Sequence, residues 1–348
     1  MRPRALVVTT VHWPDDTRIR ERLIRTLAGD FDVVYLARTP GPSDTRGLEF
    51  RELEGGRLRR NLRALRLILA SSWDVLVLHD PELVLSGVLA RWVKRRAVVF
   101  DVHEDVVALP NTRDWVAPWM RKPLTSLASL VLRVAESSLN ITLAEEGYGR
   151  RFASDHPVFP NYPDTSAFPP IEPVRRREAV YLGDSTVARG LDVALEACAR
   201  LDLPIRLVGR VAEPIELKIR EAKARVIANG PLPNRVALET VAAAGVGLAP
   251  LRDLPNYRYS QPTKLLEYLG VGVPVVASDL PGTRALVGDL EAVWLVPEGD
   301  PIALADAISE ALSPSALQIA VAQVESIRTR FSWPDDQVRG FYKSLIIR

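Results

Sequence analysis

Short runs of valine, isoleucine, leucine, alanine and phenylalanine alternate along the chain with longer segments whose apolar residues return at helical spacing. In the first half the runs at 5–10, 32–37, 74–79, 97–103, 140–144 and 157–160 predict strands. In the second half the runs at 179–183, 205–209, 225–228, 246–251, 274–278 and 292–296 do the same. These runs are apolar throughout and do not alternate, as expected of strands covered on both faces. With helical segments between them they predict parallel sheets sandwiched by helices, and two sets of about six strands make two doubly wound α/β units. The prolines between 160 and 173 exclude regular structure and mark 166–173 as a stiff linker. The predicted units are therefore 1–165 and 174–332, followed by a helical tail at 333–348. Open sheets of this kind bind ligands at the carboxyl ends of their strands, so the chemistry should sit in the strand-to-helix loops of a cleft between the units.

Composition narrows the function. The 348 residues are 47% hydrophobic and 25% charged, which is ordinary for a globular protein, and no uncharged apolar run approaches a membrane span. A balance of 45 Lys+Arg against 43 Asp+Glu lacks the basic excess of a nucleic-acid binder. The opening runs straight into an apolar strand without a signal-peptide layout, so the expected compartment is the cytosol, or at most the inner face of a membrane. Cys198 alone supports neither an internal disulfide nor a thiolate metal site and reads as a core residue. His12, His79, His103 and His156 fall at separate strand edges with no His-x-x-x-His spacing, so no metal site is predicted. A Walker loop and a Gly-x-Ser-x-Gly elbow are both missing.

The richest stretch runs from Tyr259 to Ser278. Pro262 marks a helix start, with Ser260 or Gln261 as the expected cap, and the exposed amides there make an anion site. Thr263 opens the first turn, and Lys264 and Glu267 share a face three residues apart. A cation for phosphate beside a carboxylate for a ribose diol suits a nucleotide, while a plain capped helix with a surface ion pair would leave the same pattern. In the 181–192 segment, Gly183 closes a strand, and Arg189-Gly190 opens a helix on which Leu191, Ala194, Leu195, Cys198 and Leu201 recur at helical spacing. In the first half, His103 ends a strand in polar company, where it can donate a hydrogen bond or take a proton. Asp16 and Arg18, after the first strand, and Asp80, after the third, suit a hydroxylated acceptor or a local salt bridge. The basic stretch 57–69 carries Leu58, Leu62, Leu65 and Leu69 on one stripe, and 113–122 mixes two tryptophans with basic residues. Both fit an anionic lipid surface or ordinary packing on the sheet.

The 259–278 stretch resembles the donor-site motif of family 4 glycosyltransferases, retaining enzymes of the GT-B fold, with its turn from Gly272 into Pro274-Val275-Val276. The resemblance extends over nearly the whole chain. It implies that Glu267 holds the ribose of a nucleotide-diphosphate sugar, and that the diphosphate rests on Pro262, Thr263, Lys264, Gly183 and Arg189. The 228–233 loop, with Leu232, would edge the base. His103 would lie beside the transferred sugar, Asp16, Arg18 and Asp80 beside the acceptor, and the tail 333–348 would cross back to the first domain. Two departures stand out. Tyr259 occupies the place of the family's first glutamate, which contacts the donor sugar, and Asp184 occupies the place of a diphosphate-binding arginine. The implied activity is metal-independent transfer of a hexose to a hydroxyl of a saccharide or lipid-linked acceptor, with no cofactor beyond the sugar nucleotide. A polyprenyl-linked acceptor would suit peripheral membrane attachment through 57–69 and 113–122. A GT-B sugar-nucleotide epimerase, or a non-catalytic relative acting as a scaffold, would carry the same motifs.

Overall fold

The structure, a computed structural model, describes residues 2–41, 48–111, 116–172 and 174–346. It divides into two compact units, Met1–Asn161 with Trp333–Arg348, and Tyr162–Ser332.

In the first unit six parallel strands, β1 (Arg4–Val8), β2 (Asp32–Arg38), β3 (Glu49–Leu53), β4 (Val75–Leu78), β5 (Ala97–Val102) and β6 (Asn140–Leu143), lie in the order β3-β2-β1-β4-β5-β6. Successive residues point to opposite faces. Leu6, Val8, Leu76 and Leu78 therefore pack on one side with Ala64, Ile68, Val84, Ala90, Leu132 and Ala135 of three covering helices. Ala5, Val7, Val75 and Val77 pack on the other with Ile19, Leu23, Trp333, Val338 and Tyr342. In the second unit β7 (Arg176–Leu182), β8 (Ile205–Val208), β9 (Val226–Gly230), β10 (Ala244–Ala249), β11 (Val275–Ser278) and β12 (Val293–Val296) run in the order β12-β11-β10-β7-β8-β9. Read from its other edge this is the same winding as the first sheet. In each unit the order reverses between the first and fourth strands, and that crevice is where such sheets receive ligands.

Three sequence expectations change. The strand β3 was not predicted, because Glu49-Phe50-Arg51-Glu52-Leu53, at the sheet edge, holds three charged residues and two apolar ones and lacks the continuous apolar run of the inner strands. The run at 157–160 is not a sheet strand and pairs only through one bridge, Leu143 to Val158. The described part of the 166–173 segment is docked on the second unit and is no free linker. The Phe168 ring covers Gly270, where an added Cβ would lie 2.1 Å from it. Arg328 donates to the Pro169 and Gly270 carbonyls, each at 2.8 Å. Pro173 lies outside the described residues. The chain passes between units at Asn161–Tyr162 and returns at Ser332–Trp333. Among the described residues no helix is long and apolar enough to cross a membrane.

Candidate functional site

In the second unit, two loops at the carboxyl ends of β7 and β10 build a cationic cradle. Gly183 ends β7 with φ +108°, and a Cβ there would stand 3.5 Å from Arg189 Nη1 and 3.8 Å from Lys264 Nζ. Any side chain would fill the space between the two cations. Thr186 Oγ1 accepts from the Arg189 amide at 3.2 Å, and Gly190 follows at φ +75°. A Cβ on Gly190 would fall 1.7 Å from the Pro250 carbonyl oxygen, so only glycine lets the helix Leu191–Arg200 begin there. On this helix Cys198 is fully buried, and burial pushes its thiol up to about 12, the state of an inert core residue.

Lys264 lies in the first turn of the helix Thr263–Gly270, whose N-cap is Pro262 itself, with no side chain capping the amides. Ser260 and Gln261 therefore do not serve as the cap. The Lys264 Nζ is buried, has no hydrogen-bond partner, and sits 3.7 Å from the Tyr181 ring centroid. Burial first, and then repulsion by Arg189, hold its pKa well below the usual lysine value, although Glu267 and Asp184 pull the other way. Burial also opposes the charge on Arg189, but Tyr181 and Tyr257 outweigh it and keep the guanidinium firmly protonated. Two adjacent cations, one of them unpaired, make a site for a polyanion.

Asp184, beside this cradle, has a basic partner that offsets its charge. Its carboxylate is forked onto Arg210 at 3.2 and 3.3 Å. Leu232, after β9, packs against the core beneath that edge. Tyr259 is half exposed, with the Arg258 guanidinium 6.0 Å from its ring, and its backbone lies tight against Gly282.

In the first unit the structure brings together three histidines that the sequence placed at separate strand edges. His12 follows β1, His79 follows β4 and His103 follows β5, and these strands are neighbours in the sheet. His12 Nε2 and His103 Nε2 are 2.9 Å apart, and the His79 and His103 ring centroids are 5.5 Å apart. His12 Nδ1 lies 3.6 Å from Asp16 and its Nε2 3.4 Å from Asp80. Burial disfavours the imidazolium, but the Asp16 hydrogen bond and charge, with help from Asp80 and Glu104, raise the His12 pKa to about 9. A protonated His12 can donate from Nε2 to His103 Nε2, and His103 Nδ1 lies 3.8 Å from Asp101. His79 is fully enclosed, and burial holds it below the usual histidine value.

Arg18, expected to bind an acceptor, is used inside the fold. It forks onto Asp101 at 2.9 and 2.8 Å, donates to the Phe159 carbonyl at 3.0 Å, and is 4% exposed. Thr142 adds a third bond to Asp101 at 2.8 Å. Burial alone would raise the Asp101 pKa, but Arg18 above all holds it well below the carboxylate range. Asp80 is buried as well, and one oxygen accepts from the Thr9 hydroxyl and the Thr10 amide. Asp16 caps the wide π-type helix Thr17–Ile24 through the Arg18 and Ile19 amides, while its second oxygen faces His12. Asp16 and Asp80 thus favour the charged form of His12. Donor atoms of His79, Asp101 and His103 lie within 4.8 Å of one another. A cation using Asp101 would have to displace the Arg18 fork. Sequence reasoning missed His12, Asp101 and Tyr257; the histidine and aspartate could have been found by placing β1, β4 and β5 side by side.

Two doubly wound units of this winding form the GT-B architecture. Over 100% of both chains the fold is similar to that of sucrose-phosphate synthase from Thermosynechococcus elongatus, with TM-score 0.78 at 18% identity. Over 99% of this chain and 100% of the other it is similar to Anabaena HepE in complex with UDP and glucose, with TM-score 0.76 at 15% identity. Residues 176–314 match the family described as glycosyl transferases group 1. A phosphatidyl-myo-inositol mannosyltransferase of Mycobacterium leprae is 27% identical over 285 residues, 78% of this chain and 73% of that one. Residues 176–314 of the second unit are thus similar to the group 1 glycosyl transferases.

Proposed function

We infer that the protein moves a hexose from a nucleoside diphosphate sugar to a hydroxyl of a saccharide or lipid-linked acceptor, with retention of configuration. The observation that carries this reading is the cradle at Gly183, where Lys264 Nζ is buried without a partner beside Arg189. A diphosphate supplies the missing anion, and the two cations with the uncapped helix amides stabilise it as it departs. That neutralisation takes the place of a divalent ion, so no metal is needed. Glu267, one turn along from Lys264, is assigned to the ribose hydroxyls, and His103 to a hydroxyl of the transferred sugar. Asp16 and Asp80 act through His12 to set the state of His103, with Asp16 the more open to an acceptor. Anabaena HepE is described with UDP and with UDP-glucose, which makes uridine the first base to try.

A thermal-shift panel of UDP, GDP, dTDP, ADP and CMP on wild type and Glu267→Ala tests the donor site. Ligands that bind only the folded state raise Tm by mass action. One nucleotide should stabilise the wild type, and Glu267→Ala should weaken that nucleotide roughly 10- to 100-fold. His103→Ala should lose turnover while keeping the nucleotide shift. A flat panel would overturn the transferase reading in favour of a non-catalytic relative.

A further inference from the structure

The helices covering one face of the first sheet, Arg57–Ala70, Val84–Lys94 and Pro118–Ser138, bury one side in the core and leave a second apolar side outward. Val84, Gly87 and Ala90 of the central helix face the sheet. Its opposite stripe, Leu85, Leu89, Trp92 and Val93, is exposed at spacings of four, three and one, with Leu85 at 68% and Trp92 at 79%. This helix packs against both of the others. On the Pro118–Ser138 helix Trp119, Leu127 and Leu130 are exposed on one stripe, Trp119 at 77%. A fold gains nothing from two exposed tryptophans among exposed leucines unless something covers them.

The charge around this face says what covers it. The chain as a whole is almost balanced, at +2. The Arg57–Ala70 helix nevertheless carries five arginines and no acid, the central helix Arg91 and Lys94 and no acid, and the third Arg121, Lys122 and Arg133 against Glu136 alone. Arg59, Arg66, Arg91, Lys122 and Arg133 have no carboxylate within 4 Å among the described residues, so their charge stays open to an external anion. A second copy of the same surface would bring cations against cations. An anionic bilayer instead offers phosphate to the basic rim and an interfacial layer to the tryptophan rings.

We propose that the outward face of Val84–Lys94 and Pro118–Ser138, with the arginines of Arg57–Ala70 beside it, docks the protein on an anionic lipid surface. The docking centre differs from the sequence expectation. Leu65 and Leu69 of 57–69 are half-buried, only Leu58 and Leu62 of that stripe are exposed, and the central helix was not singled out at all. Within 113–122 the contribution is Trp119 and the basic pair after it; residues 113–115 lie outside the described residues. The inference does not depend on the donor site.

Flotation of the full chain with vesicles tests it, using phosphatidylcholine alone and phosphatidylcholine with about one third phosphatidylglycerol. Binding should require the anionic lipid and fall about tenfold or more when salt rises from about 50 to 500 mM, because the headgroup attraction is screened. Trp92→Ser with Trp119→Ser should cut partitioning about tenfold or more, and so should Arg91→Gln with Lys122→Gln. Both pairs are exposed, and an unchanged Tm shows that the fold is retained. Equal binding to both vesicles, or no binding to either, overturns the proposal. So does a concentration-dependent dimer in sedimentation velocity that Trp92→Ser abolishes, since the face would then be a self-association surface.

Discussion

Replacing Lys264 with methionine should move stability and affinity in opposite directions. In the unliganded protein the ammonium is buried on the Tyr181 ring, lacks a hydrogen bond and is repelled by Arg189. A thioether of similar length keeps the packing on the ring and removes an unpaired buried charge, whose burial costs on the order of 1–3 kcal/mol. For a chain of this size each kcal/mol is worth about 2–4 °C, so the free variant should melt several degrees higher than wild type. The same change removes a charge-assisted bond to the diphosphate, about 1.5–3 kcal/mol, or roughly 10- to 150-fold in Kd. Because the folded pKa lies below the usual 10.5, the unfolded chain holds more protons than the native one. The contribution of Lys264 to wild-type stability therefore climbs as pH rises toward about 10.5, and the variant lacks that limb. Scanning fluorimetry with and without UDP, followed by titration calorimetry, reads all of this. A variant that melts lower than wild type and binds UDP unchanged would refute the cradle.

Two further outcomes rest on the first unit. Asp101→Asn strips the buried Arg18 of its charge partner and should cost about 3–5 kcal/mol by urea unfolding, far more than the partly exposed Asp16→Asn; equal costs would count against the buried fork. The raised pKa of His12, about 9 against 6.5, contributes stability that is complete below about pH 6.5 and is lost as pH rises through 9. Its amplitude should be on the order of 3 kcal/mol. His12→Gln should flatten that part of the stability profile, and an unaltered slope would show that His12 is not the titrating group.

The fold was legible where burial on both faces makes a strand apolar throughout, as in Leu76-Val77-Leu78 or Val275-Val276-Ala277. It was illegible at β3, where one edge meets water and the sequence turns mostly charged. Lys264, Glu267, Arg189 and Gly183 could be found locally because one glycine and one helix start bring them together from two short segments. The histidine cluster could not, since His12, His79 and His103 are separated by long stretches of chain and meet only through the strand order. On Arg57–Ala70 periodicity identified a stripe without saying which side of the helix faced the sheet. Ala64 and Ile68 fill that side and are fully buried in the core.

The return of the chain at Ser332–Trp333 makes the second unit an insertion within the first. Trp333 donates to Thr26 at 2.9 Å and, with Val338 and Tyr342, completes the layer over β1 and β4. During synthesis the second unit has all its residues before the first has received this closing helix. The first sheet must wait with one face partly bare while the later unit folds, so a segment made after the second unit finishes the structure begun before it.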